Sequence, residues 1–241
     1  MAIISISGYA GSGKNLVGTI IQYLSCPNPG TSLEDILNEP KYHNEWWLDE
    51  TSGWETKSWA HKLKQICSII TGIPLQNFDD QEFKKTYLGP EWGVFHKTIK
   101  NERGYPIDVE NRLITVREML QMVGTDCLRN TFNYNIWINA LMADYVPTEE
   151  GTLPKWVVTD TRFLNEVEAI KKRDGKIVRV ERKDVTPPNA HSSEMELASY
   201  KDFDYIIYNN GTIEDLTRNV SMMLTTFGFD QKPTIYNSPN K

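Results

Sequence analysis

A seven-residue stretch near the start, Gly8-Tyr9-Ala10-Gly11-Ser12-Gly13-Lys14, constrains the fold more than any other part of the chain. Ahead of it, Ile3-Ile4-Ser5-Ile6-Ser7 has the β-branched richness and length of a buried strand. Behind it, Leu16, Val17, Ile20, Ile21 and Leu24 repeat at helical spacing. Strand, glycine loop and helix follow in the order that builds a phosphate-binding loop. Glycines let successive N–H groups turn inward around an anion, the helix N-terminus adds partial positive charge, and Lys14 can reach β- and γ-phosphates. The candidate set is therefore Gly8, Ala10, Gly11, Ser12, Gly13, Lys14, Asn15 and Leu16, with a triphosphate as the natural occupant. The pattern G-x4-G-K alone should arise by chance in about one chain in fifteen of this size. The flanking strand and helix cut that considerably, which disfavours a mere glycine-rich turn. Asn15 departs from the pattern, because a Ser or Thr hydroxyl usually stands there to ligate Mg²⁺. Asn15 offers an amide oxygen or holds a water, so its metal contact is weak.

A chain of 241 residues with 39% hydrophobic residues can bury a proper core, as one α/β domain with insertions or as two small domains. A net charge of −6 and a pI near 5.3 argue against a broad surface for nucleic acid or anionic membrane. Cys26, Cys67 and Cys127 lack paired metal spacing, and read as buried thiols in a reducing cytoplasm. No secretory leader is expected at the Met-Ala-Ile-Ile start, and no apolar run approaches about 18 residues.

Along the chain, Cys26 to Gly30 ends regularity, and residues 30–57 read as an insertion whose Trp46, Trp47 and Trp54 pin a long loop. Leu63, Ile66, Cys67, Ile69 and Ile70 predict a helix ending at Gly72. Residues 79–86 read as a short helix with an acidic start and a basic end, and the segment from there to Asn111 as loop. A helix resumes at Thr115, with Arg117 and Gln121 on one face. Another begins at Ile136-Trp137. Strand and helix then alternate: Trp156 to Thr159 closed by Asp160, a helix through Ile170, the strand Ile177 to Val180, the strand Asp204 to Tyr208, and a last helix capped by Thr212.

An acid at the carboxyl end of a buried strand stands where ligands bind in open α/β sheets, which singles out Asp160, although helix capping is a rival role. Phosphoryl transfer needs positive charge around the transferring group, and Arg162, Arg182 and Arg117 are the candidate sources. His191 and Glu194 are read as helix-start and lid-latching residues rather than as metal ligands. The chain lacks an Asn-Lys-x-Asp guanine signature, which counts against a GTPase switch.

Taken together, the Gly8 to Lys14 loop, Ser58 to Lys64, Val116 to Asp126, Ile136-Trp137, Asp160-Thr161-Arg162, His191 to Glu194 and Asn209 to Gly211 resemble a bacteriophage deoxynucleoside monophosphate kinase. The resemblance implies a P-loop kinase fold: a short parallel sheet flanked by helices, with a helical acceptor-binding part and a lid. It divides the chain into a core of residues 1–29 and 150–241, the insertion 30–57, an acceptor part 58–146 and a lid 182–199. It implies transfer of a phosphoryl group from MgATP to a deoxynucleoside 5′-monophosphate, supplying precursors for phage DNA synthesis in the host cytoplasm. By the same resemblance Leu63, Lys64, Arg117, Gln121, Gly124, Thr125, Asp126, Trp137 and Asp160 line the acceptor site. Lys14, Asp160, Arg162 and Arg182 carry the chemistry, and Asn209 and Asn210 lie near the donor adenine. The expected partners are small nucleotides, with no nucleic acid or membrane; a homodimer is left open. Two rivals stand beside this reading: a P-loop kinase of another small phosphorylated metabolite, and a partner-dependent nucleotide-binding ATPase or switch.

Overall fold

The computed structural model describes residues 2–38, 46–101, 105–185 and 196–229. In chain order the first elements are β1 (Ala2–Ser7), α1 (Lys14–Ser25), α2 (Leu33–Asn38), α3 (Trp46–Ser52), β2 (Trp54–Lys57) and α4 (His61–Thr71). The middle holds β3 (Val94–Lys100), β4 (Pro106–Leu113), α5 (Val116–Gln121), a π-helix over Met122–Phe132, and α6 (Ile136–Met142). The last are β5 (Lys155–Thr161), α7 (Leu164–Lys171), β6 (Lys176–Glu181), β7 (Tyr205–Tyr208) and α8 (Ile213–Thr226). Two compact units divide them: Met1–Trp59 with Ile138–Lys241, and Ala60–Trp137.

The first unit is built on a five-stranded sheet in the order β2-β5-β1-β6-β7, with every pair parallel. β1 lies at its centre and is buried along its whole length. That explains a strand that is nearly continuously apolar, because helices cover both faces of a parallel sheet. On one face Ile4 and Ile6 pack with Val17, Ile20 and Ile21 of α1 and Leu216, Val220 and Met223 of α8. On the other face Ile3 packs with Val158, Ile177 and Trp156 from the strands, Val167 and Ile170 of α7, and Leu141 of α6. The α/β class and the short parallel sheet flanked by helices stand as expected from the sequence.

Several elements differ from the sequence expectation. Residues 30–57 do not form one long loop: they carry α2 and α3, and end in β2, which pairs with β5 as the edge strand of the sheet. Trp54 is only 2% exposed there, and Trp47 packs on the same core. The segment expected as loop up to Asn111 contains an antiparallel hairpin, β3 against β4. Gly89 and Pro90, which suggested loop, do lie in a non-strand stretch with a 3₁₀ turn over Pro90–Trp92, but Gly93 directly precedes β3 and Pro106 opens β4. Residues 79–86 form turns and a single 3₁₀ turn over Phe83–Lys85 in place of a regular helix. Cys127 is exposed, unlike the buried Cys26 and Cys67.

The second unit has its own core of Leu63, Cys67, Phe78, Leu88, Ile114, Val116, Met119 and Trp137. Burial pushes the Cys67 thiol up to about 11, so it acts as a small apolar group and not as a nucleophile. Thr115 caps α5 by accepting from the Glu118 N–H, and Glu118 accepts in return from the Thr115 N–H. The helix then widens into the π-helix, where the Asn133 N–H donates to the Leu128 carbonyl five residues back at 2.9 Å.

Candidate functional site

The glycine loop runs from the end of β1 to the first turn of α1, as the sequence order requires. Gly11 and Gly13 have φ of 80° and 98°, the left-handed region that favours glycine. At Gly8 the reason is space: a Cβ would stand 2.7 Å from the Val180 backbone oxygen. Lys14 folds its ammonium over the loop, with Nζ donating to the Gly8 and Tyr9 carbonyls, each at 2.8 Å. Ser12 is 1% exposed, and its Oγ has no hydrogen-bond partner among the described residues. A buried hydroxyl left in that state suits a ligand oxygen. Asn15 is exposed on the first turn of α1, beside Leu16.

The far wall of the loop comes from the other end of the chain. Asn209, just past β7, donates from Nδ2 to the Ser12 carbonyl at 2.9 Å, and its backbone N–H bonds the Glu181 carbonyl at 2.8 Å. The neighbouring Asn210 accepts from the Lys183 N–H through Oδ1. Both asparagines therefore brace backbone around the loop and the end of β6.

A cleft opens where the strands end. Gly8, Ala10, Lys14 and Arg162, all expected from the sequence, line it. Ser7, Tyr9, Thr161, Arg179 and Leu197 line it as well, and were not expected. Glu166, 2% exposed on α7, accepts from the Arg162 and Phe163 N–H groups at 2.8 and 3.0 Å, which fixes the backbone that carries Arg162. Arg182 is exposed and is not among the lining residues.

Asp160 sits near the end of β5. Its Oδ1 accepts from the Trp59 N–H at 2.8 Å and its Oδ2 from the Ser58 hydroxyl at 2.7 Å. The carboxylate thus holds the chain just ahead of α4, and the helix that follows β5 is served by Glu166. Thr161 bonds the Ser5 hydroxyl and accepts from the Trp59 indole N–H.

In the second unit, Lys64 of α4 pairs with Asp79 at 2.5 Å and Arg117 of α5 donates to Gln81 at 3.0 Å. Two cations from different helices therefore meet one short turn. Gln121 ends α5; Gly124 and Thr125 are buried in the π-helix, and Asp126 is exposed. Gly124 is needed for close packing, since a Cβ there would stand 2.5 Å from Leu63 Cδ2. Its carbonyl accepts from the Trp137 indole at 2.8 Å. Sequence reasoning missed Arg129, which is 2% exposed and stacks over Tyr134 at 4.3 Å. Its signal was an arginine on the same helical stripe as Gly124 and Thr125. His191 and Glu194 lie outside the described residues.

Among the described residues no group of three His, Cys, Asp or Glu side chains could hold a metal ion. Mg²⁺ does not require one, because it keeps waters and takes substrate phosphates as ligands alongside one or two protein groups. Asn15 offers an exposed amide oxygen, whereas both carboxylate oxygens of the half-buried Asp160 already accept from Ser58 and Trp59, which leaves Asp160 at most a water-mediated contact. No helix among the described residues is long and apolar enough to cross a membrane.

A family model described as deoxynucleotide monophosphate kinase matches residues 76–220, more than half of the chain. A protein of Acanthamoeba polyphaga mimivirus, provisionally named a deoxynucleotide monophosphate kinase, is 33% identical over 184 residues, which is 70% of this chain and 82% of that protein. The deoxynucleotide monophosphate kinases of Escherichia phage RB69 and Enterobacteria phage T4 are 26% and 27% identical over 110 residues. Those two matches cover 46% of this chain and 45% of each phage enzyme. With a braced phosphate loop in a parallel sheet and a match across both units, the chain belongs to the deoxynucleotide monophosphate kinase family.

Proposed function

We propose that this chain transfers the γ-phosphoryl group of ATP to a deoxynucleoside 5′-monophosphate, giving the diphosphate. The carrying observation is the cleft at the strand ends, where the glycine loop and Lys14 share one wall system with Arg162. Phosphoryl transfer asks for positioning and positive charge rather than covalent help, which is what such a cleft supplies. Lys14 leaves its loop carbonyls to meet the β- and γ-phosphates, and the buried Ser12 hydroxyl and the loop N–H groups take phosphate oxygens. Arg162, on its Glu166-fixed backbone, faces the transferring group. Mg²⁺, held by Asn15 and Asp160 through water and by the nucleotide itself, would supply further charge neutralisation on the phosphates.

In this reading the acceptor is bound by Lys64, Arg117, Gln121, Gly124, Thr125, Asp126 and Trp137, with Arg117 on its phosphate. The shared turn at Asp79 to Gln81 gathers Lys64 and Arg117 on one side of the second unit, which supports an anion-binding role for the pair. Arg182 serves the transferring group in this reading, and Asn209 and Asn210 shape the donor side. The reaction belongs with the nucleotide pool of the cytoplasm.

The test is ADP release from MgATP with each deoxynucleoside and ribonucleoside monophosphate added singly. Release that depends on one or a few deoxynucleotides is the expected result. Release indifferent to every monophosphate would replace this reading with a partner-dependent ATPase.

A further inference from the structure

Arg179 is a buried charged residue in the middle of β6, whose other charged residues, Lys176 and Glu181, stand at its two ends. It lies between Val178 and Val180 of β6, each at most 1% exposed, and is itself only 7% exposed. The register of the sheet places it beside Ser7, the last residue of β1, so its side chain is delivered to the entrance of the glycine loop. There Nη1 donates to the Ser7 hydroxyl at 3.3 Å, and the guanidinium lies over the Tyr9 ring at 4.6 Å and the Phe203 ring at 5.8 Å. Among the described residues no carboxylate pairs with it.

Burying a cation without a counter-ion is costly, and arginine cannot escape by losing its proton. The ring contacts offset part of that cost. One polar contact leaves most of the five N–H donors for something else. The cleft that Arg179 lines also contains Lys14 and Arg162, and among the described residues no acid lines it. Arg179 thus joins Lys14 and Arg162 in that cleft, and a cluster of cations of this kind suits a phosphate group. A planar fork held flat by aromatic rings is suited to phosphate oxygens.

We propose that Arg179 is a third phosphate-binding cation of this site, held at the mouth of the glycine loop by Tyr9 and Phe203. This rests on the kinase reading and adds to it a residue from the middle of a strand. Its neighbours in the cleft, Gly8 to Ala10 and Lys14, favour the donor polyphosphate as the group it meets.

The rival role is that of a strut, an arginine kept for its packing between two rings. Arg179→Met separates the two, since it keeps the length and removes the charge. The full chain would be melted with and without sodium tripolyphosphate, and then assayed with MgATP and each deoxynucleoside monophosphate. A phosphate-binding Arg179 predicts a melting temperature in the absence of ligand that is unchanged or raised, because an unpaired buried charge has gone. It predicts loss of most of the tripolyphosphate shift and a fall in kcat of about 10²-fold, the size expected for one transition-state donor. A retained tripolyphosphate shift with a monophosphate KM raised about tenfold, the scale of one charge-assisted hydrogen bond, would still support the proposal and move the contact to the acceptor phosphate. A variant that melts lower, yet keeps the shift, kcat and both KM values under conditions where it is folded, would overturn it. Tyr9→Phe keeps the ring and should behave as the parent, whereas Tyr9→Leu should reproduce part of the Arg179→Met loss; equal behaviour of the two would remove Tyr9 from the proposal. If the parent turns over no monophosphate, the kinase reading fails, and the tripolyphosphate shift still decides the role of Arg179.

Discussion

At the scale of single residues, the loop is shaped by groups that touch it from far along the chain. Asn209 is the clearest case. Its amide supports the Ser12 carbonyl, and the same contact leaves no room for a side chain at Gly13. Asn209→Ala removes one hydrogen bond worth about 1 kcal/mol and frees the loop to relax. The expected result is an ATP KM raised about five- to tenfold, with the monophosphate KM little changed. If steady-state kinetics instead showed an altered monophosphate KM and an unaltered ATP KM, the brace would be unimportant for the donor. The loop itself was legible in the sequence because its determinants are local: glycines, a lysine, a strand before and a helix after. Arg179 and Asn209 were not legible in these roles. Arg179 meets Ser7 across 172 positions of sequence and Asn209 meets Ser12 across 197, and only the order of the strands brings them together.

At the scale of elements, regular periodicity was read correctly and irregular geometry was not. β1, α1, β5, β6 and α8 follow from apolar pattern and capping, with Thr212 bonding the Asp215 N–H at the start of α8 as expected for a cap. The hairpin β3–β4 was hidden by glycines and prolines at its margins, although Ile107 and Val109 alternate with Asp108 and Glu110. The π-helix was hidden because a five-residue hydrogen-bond step leaves no simple sequence period. Its neighbour α5 carries a testable electrostatic feature. Glu118 makes two parallel bonds with Arg112, at 2.8 and 2.5 Å, on top of its capping role. The Arg112 guanidinium, with help from Thr115, holds the Glu118 carboxyl down to about 2. A carboxyl held below its ordinary value near 4.5 adds stability that is complete above that value and is lost as pH falls towards about 2. Because the pair is partly exposed, solvent screening reduces its worth to about 1 kcal/mol. Glu118→Gln should therefore cost about that much at pH 6 to 7. The difference from the parent should shrink as pH falls from about 4.5 towards about 2, and urea unfolding across that range would reveal it. A difference that stayed constant with pH would assign the effect to the cap alone.

At the scale of the whole molecule, the chain has separate hydrophobic cores. The sheet of the first unit is packed on both faces, whereas residues Ala60–Trp137 gather around Phe78, Cys67 and Met119. Sequence reading expected an acceptor part over residues 58–146, and the second unit, Ala60–Trp137, lies within that range. Separate cores imply separate opening: a defect placed in one should lower its local stability before it reaches the other. Phe78 is fully buried, and Phe78→Ala should cost about 3–5 kcal/mol through lost contacts and the cavity left behind. Native-state hydrogen exchange on the full chain is the measurement. Amides of α4 and α5 should exchange faster by a factor that approaches the full loss, while those of β1, β5 and β6 keep most of their protection. A matched variant in the first unit, Ile20→Ala on α1, should affect the strands first, because Ile20 packs in the core that holds Ile4 and Ile6. If both variants lowered protection uniformly along the chain, the two units would open as one cooperative body, and phosphate binding at the glycine loop would then stabilise α4 and α5 as much as β1.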